Sequence, residues 1–133
     1  VVAFKRPLSS MSPTIILKDG KPVMTIGAAG GPRIITNALL GAIRVLDLGM
    51  SPGEAMAVKR FHHQWSPDKL YLEPGTKRTI ADSMRKMGHT VVIDGSSGTT
   101  QMIYRDDITG MLTGVHDPRV PGKAAGPIVQ AGR

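Results

Sequence analysis

The segment Gly27-Ala-Ala-Gly30-Gly31-Pro32-Arg33 carries the residue types in this chain that could most directly do chemistry. It lies between a β-rich run and a helical pattern. A glycine pair opening a helix leaves backbone N–H groups without intrahelical partners at the positive end of the helix dipole. Such a turn receives an anion: a phosphate, a carboxylate, or the oxygen that turns negative when a nucleophile attacks a carbonyl, which preorganised amides stabilise strongly. The same residues also suit a plain strand-to-helix turn in which glycine only supplies unusual backbone angles.

A second candidate is Pro7-Leu-Ser9-Ser10-Met-Ser-Pro13, where two adjacent hydroxyl residues just before a strand could offer donors to a carboxylate or could form a serine-rich turn. Phe61-His-His-Gln-Trp65 invites a metal reading, but adjacent histidines on a strand point to opposite faces, so hydrogen-bonding histidines beside the Trp are expected and no metal site is assigned. Asp106-Asp107 falls in a turn pattern and offers no acid/base couple. Ser97, in Gly95-Ser-Ser-Gly98-Thr99, is not a nucleophile elbow, which needs glycine two residues away on both sides, whereas position 99 is Thr.

The elements that must position these residues are legible in outline. Asp19-Gly20 between two β-rich runs, Thr14 to Lys18 and Lys21 to Ile26, predicts a hairpin. Ile34, Ile35, Ala38, Leu39, Ala42, Ile43 and Leu46 recur at helical spacing, with Pro32 suited to the first helical position and Gly49 to a left-handed cap. Ser51-Pro-Gly-Glu54 reads as a capping box opening a short helix through about Arg60. Lys69 to Glu73 predicts a strand. A third helix is expected to be capped by Thr76, to bury a stripe of Ile80, Met84 and Met87, and to stop at Gly88. Thr90 to Ile93 predicts a further strand, and Gln101 to Arg105 with Met111 to Val115 a second hairpin. Strands and helices therefore interleave in an α/β (α+β) chain. From residue 118 on, Gly, Pro and Ala dominate without period, so 118–133 is expected to be a tail that orders by packing on a partner.

With 133 residues the chain amounts to about one domain, and a 41% hydrophobic content with 16 glycines is that of a folded protein. Only 4% is aromatic, so the core must use aliphatic residues and the eight Met. The net charge of +7 is scattered rather than clustered and has few aromatics to stack on bases, which argues against nucleic acid as partner. No apolar run of membrane-spanning or signal-peptide length is present, and no membrane contact is expected from this chain. Zero cysteines exclude disulfides and thiolate chemistry, while leaving the compartment open.

Five blocks taken in order, Pro7 to Thr14, Gly27 to Ile35, Arg60 to Trp65, Gly98 to Gln101 and Asp117 to Arg119, resemble the C-terminal portion of γ-glutamyltranspeptidases over nearly the whole chain. The resemblance implies that 1–117 is the C-terminal part of a small subunit and that the fold is part of an αββα N-terminal-nucleophile hydrolase sandwich, mostly antiparallel sheet with packed helices. It implies Gly30 and Gly31 as the oxyanion hole and Ser9 and Ser10 as the site for the donor's α-carboxylate. The implied reaction needs no cofactor: an N-terminal threonine takes the glutamyl group from a donor such as glutathione and passes it to water or an amine. That threonine belongs upstream, since none of the eight residues before Ser9 is threonine. The residues that grip the substrate amino group, and an arginine of the large subunit, are likewise expected outside the chain. The fragment alone is thus expected to be inactive, with the large subunit and the rest of the small subunit as partners. A typical bacterial member would be periplasmic or secreted. A cephalosporin-acylase-like or poly-γ-glutamate-cleaving relative, and a non-catalytic binding module, are the competing readings.

Overall fold

Asp19 and Gly20 both adopt positive φ (50° and 74°), which matches the right-handed twist of two strands joined by a two-residue turn. In the computed structural model, which describes residues 2–126, they join β1 (Thr14–Lys18) to β2 (Lys21–Ala29). Antiparallel partners Thr14 and Ile26 set the register, and one irregularity falls between Ile16 and Leu17. The second expected hairpin also forms, from β6 (Thr99–Arg105) and β7 (Leu112–Val115), and β6 pairs with β2. The result is a four-stranded antiparallel sheet in the order β1-β2-β6-β7.

One face of this sheet is covered by α1 (Arg33–Leu46) and α2 (Pro52–Ala57). Met24, Ile26 and Met102 from the strands meet Ala38, Val45, Ala55 and Met56 from the helices in a single buried cluster. Alternation explains the choice, because every second strand residue points toward the helices. Gly41 lets α1 approach closely: a Cβ there would overlap Ile26 Cδ1 and stand 3.2 Å from Met56 Cε. The opposite face carries no helix among the described residues. Ile15, Thr25, Ile103 and Gly114 line up across all four strands. With residues 123–126 they border a groove of about 1230 Å³.

A smaller sheet, β3-β4-β5, comprises Phe61–His62, Leu70–Leu72 and Val91–Ile93. β3 and β4 are antiparallel, whereas β4 and β5 run parallel, which requires the crossover supplied by α3 (Arg78–Lys86). The whole is an α+β arrangement of mostly antiparallel sheet with packed helices, as the sequence predicts.

Several boundaries differ from expectation. Pro32 occupies the cap position one residue before α1 rather than its first turn. The Ser51–Glu54 capping box forms in both directions, yet α2 ends at Ala57, because Val58 turns extended (ψ 139°) and the Arg60 amide goes instead to Glu73 Oε2 at 3.0 Å. Lys77, not Thr76, is the cap of α3, while the Thr76 hydroxyl donates back to the Glu73 carbonyl at 2.6 Å. The stripe on α3 is also displaced. Ala81 is buried and Met84 packs beside it, whereas Ile80 and Met87 are 46% and 70% exposed. A small residue suits that position because α3 sits close over a three-stranded sheet. Trp65 lies exposed, away from the buried His62.

The expected division at residue 117 meets a tie across it. Arg119 is anchored to Glu73 on β4's C-terminal side, and residues 127–133 lie outside the described part. Among the described residues, no helix is long and apolar enough to cross a membrane.

Candidate functional site

β2 delivers Gly30 and Gly31 to the end of the large sheet, where the chain breaks into α1. Gly30 takes φ 138° and Gly31 φ 59°, angles at which a side chain is strained. The turn closes through its carbonyls: Arg33 N donates to Gly30 O at 3.2 Å and Ile34 N to Gly31 O at 3.1 Å. Among the described residues, neither the Gly30 nor the Gly31 amide donates to a backbone carbonyl, and both residues are exposed. Two N–H groups at a helix start are therefore free for an external acceptor, the arrangement that favours an anion.

The serine pair is carried by the extended segment leading into β1. Ser9 Oγ accepts from Met11 N at 3.3 Å, and the Ser10 carbonyl accepts from the Ser12 hydroxyl at 3.1 Å. Thr14 pairs with Ile26, so Ser10 lies four residues before one partner and Gly30 four residues beyond the other. Both pairs thus extend from the same end of the sheet, although no hydrogen bond joins them among the described residues.

The histidines play structural parts. His62 is buried, with Nδ1 2.8 Å from Thr36 Oγ1 and Nε2 2.9 Å from Gln64 Oε1, so both ring nitrogens are occupied. His63 meets Asp68 at 3.1 Å instead. Ser97 donates its hydroxyl to Glu73 Oε1 at 3.1 Å. Asp106 caps its own turn through Ile108 N and Thr109 N, as a turn aspartate does.

Behind the glycine turn stands a cluster of buried charge to which sequence reasoning assigned no role. Arg60 Nη2 is 2.6 Å from Asp117 Oδ2, and Asp117 also accepts from Thr100 N and Arg119 N. The Arg60–Asp117 contact is an ion pair rather than an aligned hydrogen bond: Nη2 is buried without a well-angled acceptor. Arg119 reaches Glu73 with two nitrogens and also donates to the carbonyls of Met56 and Val58. Burial works to raise the Glu73 carboxyl, but Arg119, the Arg60 amide and the Ser97 hydroxyl overcome it and hold it at about 2. Burial opposes ionisation of Asp117 too, and the hydrogen bond from the Arg119 amide together with the adjacent Arg60 charge keeps it below the usual carboxylate range. Burial lowers Arg44 and Arg60, whereas Glu73 raises Arg119. Four of the chain's arginines, 33, 44, 60 and 119, are thereby engaged inside the fold. The sequence signal for this cluster was the placement of Arg60 and Asp117-Pro-Arg119 within two of the five blocks.

A strand–glycine–glycine–helix turn with two free amides, at the end of an antiparallel sheet, places the chain among α+β folds with an exposed backbone donor pair at a helix start. The comparisons narrow the class. The family model described as Gamma-glutamyltranspeptidase matches residues 1–127, and the chain belongs to that family. It is 44% identical over 115 residues to the glutathione hydrolase proenzyme of Escherichia coli strain K12, covering 86% of this chain and 20% of that protein. It thus spans only a fifth of that relative's length. A γ-glutamyltranspeptidase mutant from Helicobacter pylori superposes with a TM-score of 0.83 at 41% identity, over 90% of this chain and 66% of that one. The Pseudomonas nitroreducens γ-glutamyltranspeptidase gives 0.83 at 33% identity, over 98% and 67%.

Proposed function

We propose that this chain forms the oxyanion and α-carboxylate sites of a γ-glutamyltransferase that also hydrolyses glutathione-like γ-glutamyl amides. The observation that carries the reading is the pair of exposed Gly30 and Gly31 amides, without backbone acceptors among the described residues, at the start of α1. A threonine hydroxyl supplied by another part of the small subunit attacks the donor's γ-carbonyl. Negative charge gathers on the carbonyl oxygen, and the two N–H groups stabilise it more in the transition state than in the planar amide. Collapse expels the amine and leaves a γ-glutamyl ester, which water or an acceptor amine then cleaves. Ser9 and Ser10 hold the α-carboxylate, which fixes the distance from that anchor to the carbonyl.

The helix-free sheet face supports the partnership. Ile15, Ile103 and Leu112 are 68%, 49% and 67% exposed there, and a stacked second sheet from the rest of the small subunit and the large subunit would cover them. On this reading the fragment by itself is inactive.

The test is substrate choice by the complete protein. γ-Glutamyl-p-nitroanilide is expected to be cleaved with far higher kcat/KM than glutaryl-cephalosporin substrates. The reverse preference would assign the chain to a cephalosporin-acylase-like enzyme, and cleavage of neither would favour a binding module.

A further inference from the structure

One short strap, residues 94–98, is tied to the glycine turn at several points. Arg33 donates to the Ser96 carbonyl and, at 2.5 Å, to Asp94 Oδ2. Asn37 Nδ2 donates to the Ser97 carbonyl at 2.8 Å, and Arg60 Nη1 to the Gly98 carbonyl at 3.0 Å. At the end of the strap Gly98 (φ 70°) crosses Gly30 backbone to backbone. A Cβ on Gly30 would stand 2.9 Å from Gly98 Cα; one on Gly98 would stand 2.5 Å from Ala29 O and 3.0 Å from Asn37 Nδ2. Neither glycine can yield without moving the other.

Asn37 is the unexpected member of this set. It lies on the buried face of α1 among Ile34, Ala38, Gly41 and Val45, and is only 4% exposed. An amide there costs desolvation that an aliphatic side chain would not, unless its hydrogen bond is needed. That bond goes to the strap, one helical turn beyond Arg33, rather than to the core.

We propose that Asn37 is a positioning residue for acyl transfer: by holding the Ser97 carbonyl it fixes Gly98 against Gly30, and so aims the Gly30 and Gly31 amides. The inference rests on the oxyanion reading above. Amides that act on a developing alkoxide are sensitive to small displacements, while the α-carboxylate anchor at Ser9 and Ser10 lies on a separate segment. Loosening the strap therefore lowers turnover and leaves donor affinity in place.

The experiment uses the complete enzyme with Asn37→Leu, which keeps similar volume without the donor, with Gly98→Ala, and with Gly31→Ala as reference. Kinetics on γ-glutamyl-p-nitroanilide are measured beside inhibition by a boronic acid analogue of the donor, whose tetrahedral adduct imitates the intermediate, and by free glutamate. Asn37→Leu is expected to lower kcat about 10- to 100-fold with KM within about threefold, and to weaken boronate but not glutamate inhibition. Unchanged kcat, or parallel loss of kcat, glutamate binding and thermal stability, overturns the proposal. Should Asn37→Leu fail to assemble, Gly98→Ala is read by the same criteria, and failure of both to assemble overturns it as a folding role. If Gly31→Ala alone changes the boronate response, the strap has no such role and the oxyanion reading stands. If Gly31→Ala leaves it unchanged, the oxyanion reading itself has failed.

Discussion

Arg119 grips Glu73 with two nitrogens, Nε at 2.5 Å from Oε1 and Nη2 at 2.7 Å from Oε2, and so ties the segment after β7 to the end of β4. The geometry is the two-pronged arginine–carboxylate pair, in which position and charge reinforce each other. Its consequence is a pH dependence. Glu73 is held at about 2, below the ordinary carboxylate value of 4.5. A carboxylate lowered on folding contributes stability that is complete above its unfolded value and is lost as pH falls through the folded one. Unfolding followed from pH 6 to 2 should show stability declining from about pH 5 downward, and Glu73→Gln should flatten that decline while lowering stability at pH 6. An equally steep acid response in the variant would remove Glu73 from the account.

Asp117 is fully buried against Arg60. Removing one member of a buried pair leaves the other charged and unmatched, at a cost of about 3–5 kcal/mol. Asp117→Ala in the complete protein is therefore expected to lower the thermal midpoint more than any exposed ion-pair variant, such as Asp82→Ala on α3 beside Arg85. Equal midpoints for the two would contradict the burial argument.

Ser51 Oγ accepts from Glu54 N at 3.3 Å, and Ser51 N donates in turn to the Glu54 carboxylate at 3.0 Å. Ser51→Ala should destabilise by about 1 kcal/mol, with Ser51→Asp losing less, as read from denaturant midpoints.

Much of this architecture was written in local signals. The Asp19-Gly20 turn, the α1 helix and the second hairpin all follow from residues adjacent in sequence and formed within a few positions of expectation, although Ile35 and Leu39 of the α1 stripe are 55% and 56% exposed and the buried face runs through Ile34, Asn37, Ala38, Gly41 and Val45. What escaped was non-local. Thr76 looks like a cap, yet its hydroxyl turns back to the Glu73 carbonyl, and α2 stops early because the Arg60 amide has a better acceptor thirteen residues away. The strand-to-helix glycine turn and its unpaired amides were readable because they are local backbone features that need no partner from elsewhere. By contrast, the strap that buttresses it depends on Asn37 meeting Ser97 across 60 residues, and no spacing rule encodes such a meeting.

The α-carboxylate role gives a separable expectation. A hydrogen bond to a charged group contributes about 1.5–3 kcal/mol, so Ser9→Ala combined with Ser10→Ala should raise KM for the γ-glutamyl donor at least about tenfold. Turnover should change less, and activity toward a donor lacking the α-carboxylate should be insensitive to the change. Unaltered KM would remove the two serines from the site.

The central claim is the aim of the Gly30 and Gly31 amides. Gly31→Ala tests it most directly, because a Cβ there meets nothing within 4 Å and acts only through the strained φ of 59°. In steady-state kinetics of the complete enzyme on γ-glutamyl-p-nitroanilide, kcat is expected to fall about 10- to 100-fold while KM stays within about threefold. A rise in KM at undiminished kcat would contradict the account.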